Sequence, residues 1–170
     1  GAGTTWVDVC CGGAHGVGLK SDGTVWTWGR NEWGQLGTGN KINRSVVVQI
    51  LSTGGNASDY WVNIATSAFT GAAINTDGEL WIWGHGANGQ LGDGTVVSKS
   101  SPIQLGADTD WYRLKLGVYV MAAIKTDGTL WMWGLNSWGQ LGEGTTEARS
   151  SPVQTISGGN NWTDFAKGWY

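Results

Sequence analysis

The sequence predicts an all-β fold, a segment of a β-propeller with three four-stranded antiparallel blades plus the first strand of a fourth. Three observations support this prediction: an internal repeat of about 50 residues, an Asp-Gly turn in each copy, and strands that are apolar on both faces. The 170 residues include 30 Gly and 13 Trp but only 2 Pro. Such a composition is typical of a packed, turn-rich chain and differs from that of disordered or collagen-like proteins.

The repeat is defined by two motifs at a fixed spacing. Trp-x-Trp-Gly and Gln-Leu-Gly each occur three times, beginning at Trp26, Trp81 and Trp131 and at Gln35, Gln90 and Gln140. These motifs place the copies at about residues 4–58, 59–109 and 110–160, with a partial copy at 161–170. The first copy carries a polar stretch around 52–60 that is predicted to be an inserted surface loop. This period favours propeller blades over helical repeats.

Four strands are predicted in each copy, and in the first copy they cover residues 6–10, 16–20, 24–28 and 46–50. Asp-Gly pairs at 22–23, 77–78 and 127–128 separate the second and third strands. Asp-Gly is favoured in two-residue hairpin loops because both positions can need positive φ. The second strand is rich in small residues, so we expect it to be the inner strand beside the axis. Pro102 and Pro152 share one repeat position, where a strand start or edge is expected.

The third strand is apolar on both faces, which indicates that neighbouring sheets cover it from both sides. Its second tryptophan, at Trp28, Trp83 and Trp133, is expected to stack between blades. The glutamines of Gln-Leu-Gly are expected to bind loop backbone groups. Because the outer blades would also need covering, we expect a longer chain whose ring has about six to eight blades. Closure by homo-oligomer subunits is the less favoured alternative.

These motifs resemble a known repeat. Trp-x-Trp-Gly, Gly-Gln-Leu-Gly-x-Gly and Ser-Ser-Pro-[Ile/Val]-Gln, preceded by Thr-Asp-Gly-x-Leu, are similar over essentially the whole chain to the regulator of chromosome condensation family. The resemblance implies a propeller, usually of about seven blades. Family members include GTPase exchange factors, a plant photoreceptor, a secreted β-lactamase inhibitor and uncharacterised bacterial and bacteriophage surface proteins. The motifs resemble most those of the bacterial and bacteriophage group.

Function is expected on loops that differ between copies. The loop after Trp-x-Trp-Gly shows such variation, and its candidate partner-binding residues are Arg30, Glu32, Trp33, His85, Asn88, Asn136 and Trp138. Trp33 and Trp138 occupy the same repeat position and are candidate anchors for a protein or glycan, because Trp is enriched at binding hot spots. The alternative is that both tryptophans pack on the next blade.

Catalysis is not indicated. The two histidines and two cysteines do not have the spacing of a catalytic triad or a zinc site. His15 is interpreted as a structural residue that bonds a neighbouring strand, and Cys10 and Cys11 as reduced thiols. We therefore expect no enzymatic activity, no cofactor and no metal.

The net charge of −3 is too weakly acidic for a general electrostatic interaction with nucleic acid or anionic membranes. No stretch approaches the ~20 apolar residues of a spanning helix, and residues 1–5 lack the features of a signal peptide. The main hypothesis is a non-enzymatic structural and binding propeller on a bacteriophage virion, such as a tail fibre, or on a bacterial surface. Its partners would be other blades or subunits, virion or surface proteins, or glycans. The alternative is a regulatory protein-binding propeller of the exchange-factor or enzyme-inhibitor type.

Overall fold

A computed structural model describes residues 4–50, 60–156 and 159–164. The described residues form twelve strands: β1 (Trp6–Cys11), β2 (His15–Lys20), β3 (Val25–Gly29), β4 (Arg44–Gln49), β5 (Trp61–Thr66), β6 (Thr70–Asn75), β7 (Leu80–Gly84), β8 (Lys99–Gln104), β9 (Trp111–Leu116), β10 (Val120–Lys125), β11 (Leu130–Gly134) and β12 (Arg149–Gln154). The inserted loop predicted around 52–60 lies almost entirely outside the described residues.

Three antiparallel four-stranded sheets confirm the predicted blades. Their strand orders are β1-β2-β3-β4, β5-β6-β7-β8 and β9-β10-β11-β12, referred to as blades 1, 2 and 3. After blade 3, Trp162 N donates a hydrogen bond to Gly128 O at 3.2 Å, as Trp111 N does to Gly78 O at 3.1 Å. The same hydrogen bond thus precedes β9 and the predicted first strand of a fourth blade. Most of the predicted first strand of that blade lies outside the described residues.

The hairpin between the second and third strands is confirmed, but its predicted two-residue loop is wrong. In blade 1, Gly23 N donates to Lys20 O at 2.9 Å and Lys20 N donates to Thr24 O at 3.0 Å, so three residues form the loop. Gly23 has φ 76°, and no described non-glycine residue has positive φ. This is a type I turn with a glycine bulge, in which only the glycine needs the left-handed conformation.

The prediction of the inner strand is also wrong. The first strands of the blades, β1, β5 and β9, are sheet edges that contact one another across the blades, so they lie nearest the axis. The small residues of β2 and β6 have a different cause. A Cβ atom at Gly16 or Gly71 would overlap the ring of Trp28 or Trp83, respectively. Small residues in the second strand therefore make room for the tryptophan of the third.

The prolines lie in β8 and β12, which are outer edge strands. Pro102 is the fourth residue of β8 rather than its first, so the edge position is confirmed and the strand start is not. An edge strand tolerates proline because the missing N–H faces away from the sheet.

Blades pack face to face through the second tryptophan of Trp-x-Trp-Gly, as predicted. The indole N–H of Trp83 donates to Gln35 O at 2.9 Å, and that of Trp133 donates to Gln90 O at 3.0 Å. Each bond joins one blade to the loop of the preceding blade, and both tryptophans are 1% exposed. We call the contact between two neighbouring blades a seam. The two main apolar clusters lie at the two seams; at the first, Val17 and Leu19 of blade 1 pack with Ile64 and Trp83 of blade 2.

Candidate functional site

The loops after β3, β7 and β11 share one glutamine contact. Each glutamine side-chain oxygen accepts a hydrogen bond from the backbone N–H two residues earlier, from Trp33 to Gln35, Asn88 to Gln90 and Trp138 to Gln140, at 2.7–2.9 Å. The leucine that follows each glutamine is fully buried. The predicted role of the glutamines is therefore confirmed. The contact holds the backbone of each loop in one shape while the other side chains differ.

Asn136 was predicted to bind a partner, but it is fully buried and organises its loop. Its Nδ2 donates to Thr145 O at 2.9 Å and to Glu147 O at 3.0 Å, and its Oδ1 accepts from Leu141 N at 3.0 Å. An amide can donate and accept at once, so one side chain closes a loop of more than ten residues. The partner-binding assignment of Asn136 is wrong because no polar atom of it is available at the surface.

Asn31 holds the loop of blade 1 in the same way. Its Nδ2 donates to Asn40 O at 3.0 Å and to Ile42 O at 3.1 Å, and its Oδ1 accepts from Leu36 N at 2.9 Å. The signal in the sequence was the recurrence of Asn two residues after Trp-x-Trp-Gly in copies 1 and 3. The burial of both asparagines and their bonds to loop backbone show that this recurring residue serves the repeat.

Blade 2 lacks this asparagine and has Gly86 in its place. There, Gly86 N donates to Ser98 Oγ at 3.1 Å, and Gln90 Nε2 lies 2.7 Å from His85 Nδ1. Because an amide nitrogen only donates, Nδ1 accepts and the ring proton is on Nε2. Burial lowers the pKa of His85, which favours the neutral ring that this hydrogen bond requires. His85 therefore helps to hold the loop of blade 2.

The two candidate anchor tryptophans have different surroundings. Trp33 is 41% exposed and packs edge-to-face on His85 of the next blade, with ring centroids 4.7 Å apart. The ring of Phe69 lies edge-to-face on the same imidazole, with the ring centroids 6.0 Å apart. Trp138 is 87% exposed. Trp33 therefore packs on the next blade, as the alternative states, and part of its ring is open to solvent. Its role as a partner anchor stays a prediction.

The remaining candidates are a surface ion pair and a turn residue. Arg30 and Glu32 pair with each other, and this contact raises the pKa of the Arg30 guanidinium. Asn88 is half-buried and its backbone N–H is used by Gln90. Whether these residues bind a partner stays a prediction.

Sequence reasoning missed three apolar residues on the same loops. Ile42, Val96 and Val97 are 58–62% exposed and lie later in these loops than the candidate residues. Their signal was an apolar side chain inside an otherwise polar loop. The loop side of the propeller thus carries exposed apolar groups on the loops of all three blades, counting Trp33 and Trp138.

His15 is buried at the seam between blades 1 and 2, beside Ser67, as expected of a structural residue. Burial lowers the pKa of His15 to about 4, and the Thr70 backbone only partly opposes that shift. That opposing contact is with the backbone of Thr70 in β6, a neighbouring strand in the next blade, although neither ring nitrogen reaches a full hydrogen-bond geometry among the described residues. Whether His15 bonds this strand stays a prediction.

A groove of about 560 Å³ lies along β1, β5 and β9 beside the axis. Cys10 contributes to it and donates from Sγ to Ile64 O at 3.5 Å, while Cys11 is an exposed thiol. Within the described ranges, no group of three or more His, Cys, Asp or Glu side chains is placed to hold a metal ion. The described segments also include no helix of the length and apolarity needed to cross a bilayer.

Three four-stranded sheets with converging first strands and repeated loops define a segment of a β-propeller. The family model of the regulator of chromosome condensation (RCC1) repeat matches residues 22–74, 77–120 and 127–170, and a related model matches 6–35. The chain belongs to this repeat family. The three matched ranges include all three copies of Trp-x-Trp-Gly and of Gln-Leu-Gly.

The most informative relatives are longer than this chain. It is 35% identical over 98 residues to the RCC1 domain-containing protein RUG3 of Arabidopsis thaliana, which is 57% of this chain and 21% of that protein. The structure of human WBSCR16 has a TM-score of 0.77 at 25% identity, covering 88% of this chain and 37% of the other. The structure of Prp20p from Saccharomyces cerevisiae has a TM-score of 0.74 at 17% identity, and the match covers 86% of this chain and 37% of Prp20p. The chain spans between a fifth and two fifths of these proteins.

Proposed function

We propose that this chain is part of a regulatory, non-enzymatic propeller that binds another protein through its loop side. The observation that carries the proposal is the combination of a fixed loop backbone with exposed apolar side chains that differ between blades. Rigid loops lose little entropy on binding, and exposed tryptophans are frequent anchors at protein interfaces. Trp138 and Trp33 are therefore the first residues that a partner would contact.

The family relationship supports a protein partner over other ligands. Prp20p, whose structure has the same fold, was studied for its binding to Gsp1p and histones. A protein-binding role on this chain would follow the same class of function. A virion or cell-surface location stays a prediction, and abundance in purified particles or envelope fractions tests it.

The experiment compares three immobilised chains in extracts of the source cells. We expect the unmodified chain to retain specific proteins that are lost with the Trp33→Ala, Trp138→Ala double variant. The control is Val46→Ser, which removes from β4 an apolar side chain whose exposure, 69%, lies between those of the two tryptophans. A retained protein is then purified, and its Kd for the double variant should be raised about tenfold or more. Equal retention by all three chains would contradict the proposal.

A further inference from the structure

Three apolar side chains lie at equivalent positions on the inner edges of the blades. They are Val7, Val62 and Tyr112, each the second residue of the innermost strand of its blade. In all three blades this residue is skipped by the ladder to the second strand, so it is the extra residue of a β-bulge. These residues are called the axial ring. They lie at the end of the strands that carries the Asp-Gly turns, away from the loops of the proposed function.

The exposure of the axial ring is not required by the fold. Val62 and Tyr112 are 55% and 52% exposed, whereas Ile64 and Leu114, two residues further along β5 and β9, are buried; in β1 both Val7 and Val9 are exposed, at 57% and 50%. A bulged residue is unpaired and in solvent, so a serine or asparagine would serve the backbone equally well. Val62 and Tyr112 line one space, and exposed apolar patches mark interaction sites.

The ring borders a groove between blades 2 and 3. Val62 and Tyr112 line a space of about 440 Å³ that extends to the Asp-Gly turn of blade 2 at Asp77. Asn63 and Arg113 form part of the same wall. This volume is in the range of protein pockets that hold small ligands or side chains.

The turns around the ring are acidic. Among the described residues, the turn side carries six carboxylates, from Asp22, Asp77, Glu79, Asp108, Asp110 and Asp127, and three basic side chains, from Lys20, Lys125 and Arg113. Lys125 pairs with Asp108 at 2.8 Å and with Asp110 at 3.0 Å, and Lys20 lies 4.0 Å from the ring centre of Trp26. Arg113 is paired with Asp164 at 3.5 Å. The surroundings of the apolar patch are therefore negative.

Two of these carboxylates are fixed in the charged form. Thr24 donates through its hydroxyl and its backbone N–H to Asp22 Oδ1, and Thr129 does the same to Asp127. Hydrogen bonds from these threonines lower the pKa of both aspartates. Both turns therefore keep their negative charge over the neutral pH range.

We propose that the axial ring and the acidic turns form a second docking surface, which accepts a peptide segment of a partner protein with apolar side chains flanked by Lys or Arg. The apolar side chain fills the groove at Val62 and Tyr112, and the basic groups face the turn carboxylates. Apolar contact gives this surface its affinity, and charge complementarity gives it its selectivity. The surface is separate from the loop side and does not depend on Trp33 or Trp138.

The test measures binding of a fluorescein-labelled peptide of alternating lysine and leucine to the chain by fluorescence polarisation at physiological salt. Companion peptides replace every leucine by serine or every lysine by glutamate. We expect the lysine-leucine peptide to bind at least tenfold more tightly than either companion. The Val62→Ser, Tyr112→Ser double variant should weaken its binding by about tenfold.

The matched control is Val96→Ser, which removes a valine of similar exposure from the loop side. It should change the Kd by less than about twofold, and so should Trp33→Ala, Trp138→Ala, which separates this surface from the proposed function. Near-ultraviolet circular dichroism checks that each variant keeps the tryptophan packing. Equal binding of the lysine-serine peptide would reduce the surface to a general acidic attraction and overturn the proposal. Equal weakening by Val96→Ser, or no binding of the lysine-leucine peptide, would also overturn it.

Discussion

Trp83 and Trp28 occupy the same motif position in consecutive blades, yet their surroundings differ. Trp83 is 1% exposed and its indole donates to Gln35 O at 2.9 Å. Trp28 is half-buried, and its indole N–H has no acceptor among the described residues. The same side chain is therefore a seam residue in blade 2 and a partly open one in blade 1. In a repeat protein, stability depends on interfaces between neighbours as well as on the units themselves.

The largest expected effect comes from removing the seam tryptophan. Trp83→Ala should lower the free energy of unfolding by about 3 to 5 kcal/mol, because it leaves a cavity and an unpaired carbonyl at Gln35. Trp28→Ala should cost about half as much, since that ring already contacts solvent. Urea denaturation followed by circular dichroism measures both values. Equal losses for the two variants would show that the seam adds nothing to what the blade itself provides.

A matched glycine pair sharpens the same comparison. Gly92 and Gly142 have φ of 72° and 62°, so alanine strains both backbones similarly. A Cβ at Gly92 would lie 2.7 Å from Trp133 Nε1, whereas at Gly142 the nearest atom is 3.9 Å away. Gly92→Ala should therefore destabilise by about 2 kcal/mol more than Gly142→Ala in urea denaturation. A difference near zero would mean that Trp133 moves aside without cost.

The seam between blades 1 and 2 should weaken in acid because of His15. Its pKa is about 4 in the folded chain and 6.5 in the unfolded chain. Between these values the unfolded chain binds more protons than the folded chain. The contribution of neutral His15 to the free energy of unfolding is therefore fully present above pH 6.5 and is lost as the pH is lowered towards 4. At pH 5 the loss is roughly 2 kcal/mol.

The variant His15→Thr, which carries the residue found at the equivalent position Thr70, removes this titration. Unfolding free energies measured in urea from pH 7 to pH 4.5 should then decline less steeply than those of the unmodified chain. Parallel pH profiles for the two proteins would assign the acid sensitivity to other groups.

The smallest effect is expected within a blade. Asn136→Gly, which copies the residue of blade 2, should cost about 1 kcal/mol in global stability because water can replace several of the lost loop hydrogen bonds. Hydrogen exchange measured by mass spectrometry should show faster exchange in residues 135–148 and no change in the peptides around Gln90. Faster exchange at the seam as well would indicate that loop and seam are coupled.

The repeat made most of the fold predictable from the sequence. The Trp-x-Trp-Gly and Gln-Leu-Gly spacings led to the four strands of each blade and to the stacking role of Trp83 and Trp133. The strand beside the axis could not be deduced, because Gly16 and Gly71 are small for a reason that becomes visible only across the sheet. Their neighbour is the indole ring on the next strand, not the axis.

The candidate site was harder to predict for a related reason. Variation between loops selected surface residues such as Trp138 correctly as exposed, but it also selected Asn136, whose two equivalents are Asn31 and Gly86. A polar side chain on a loop looks the same in sequence whether it faces water or bonds the backbone of its own loop. The β-bulge that exposes Val62 depends on the register with β6, which sequence alternation does not reveal.

The most direct test of the central claim, that each seam is closed by an indole hydrogen bond to the preceding blade, is indole N–H exchange measured by NMR at low protein concentration. The indole protons of Trp83 and Trp133 should exchange at least about a hundredfold more slowly than that of Trp28, because only the first two are buried and bonded across a seam. Rapid exchange at Trp83 and Trp133, or equally slow exchange at Trp28, would contradict the claim.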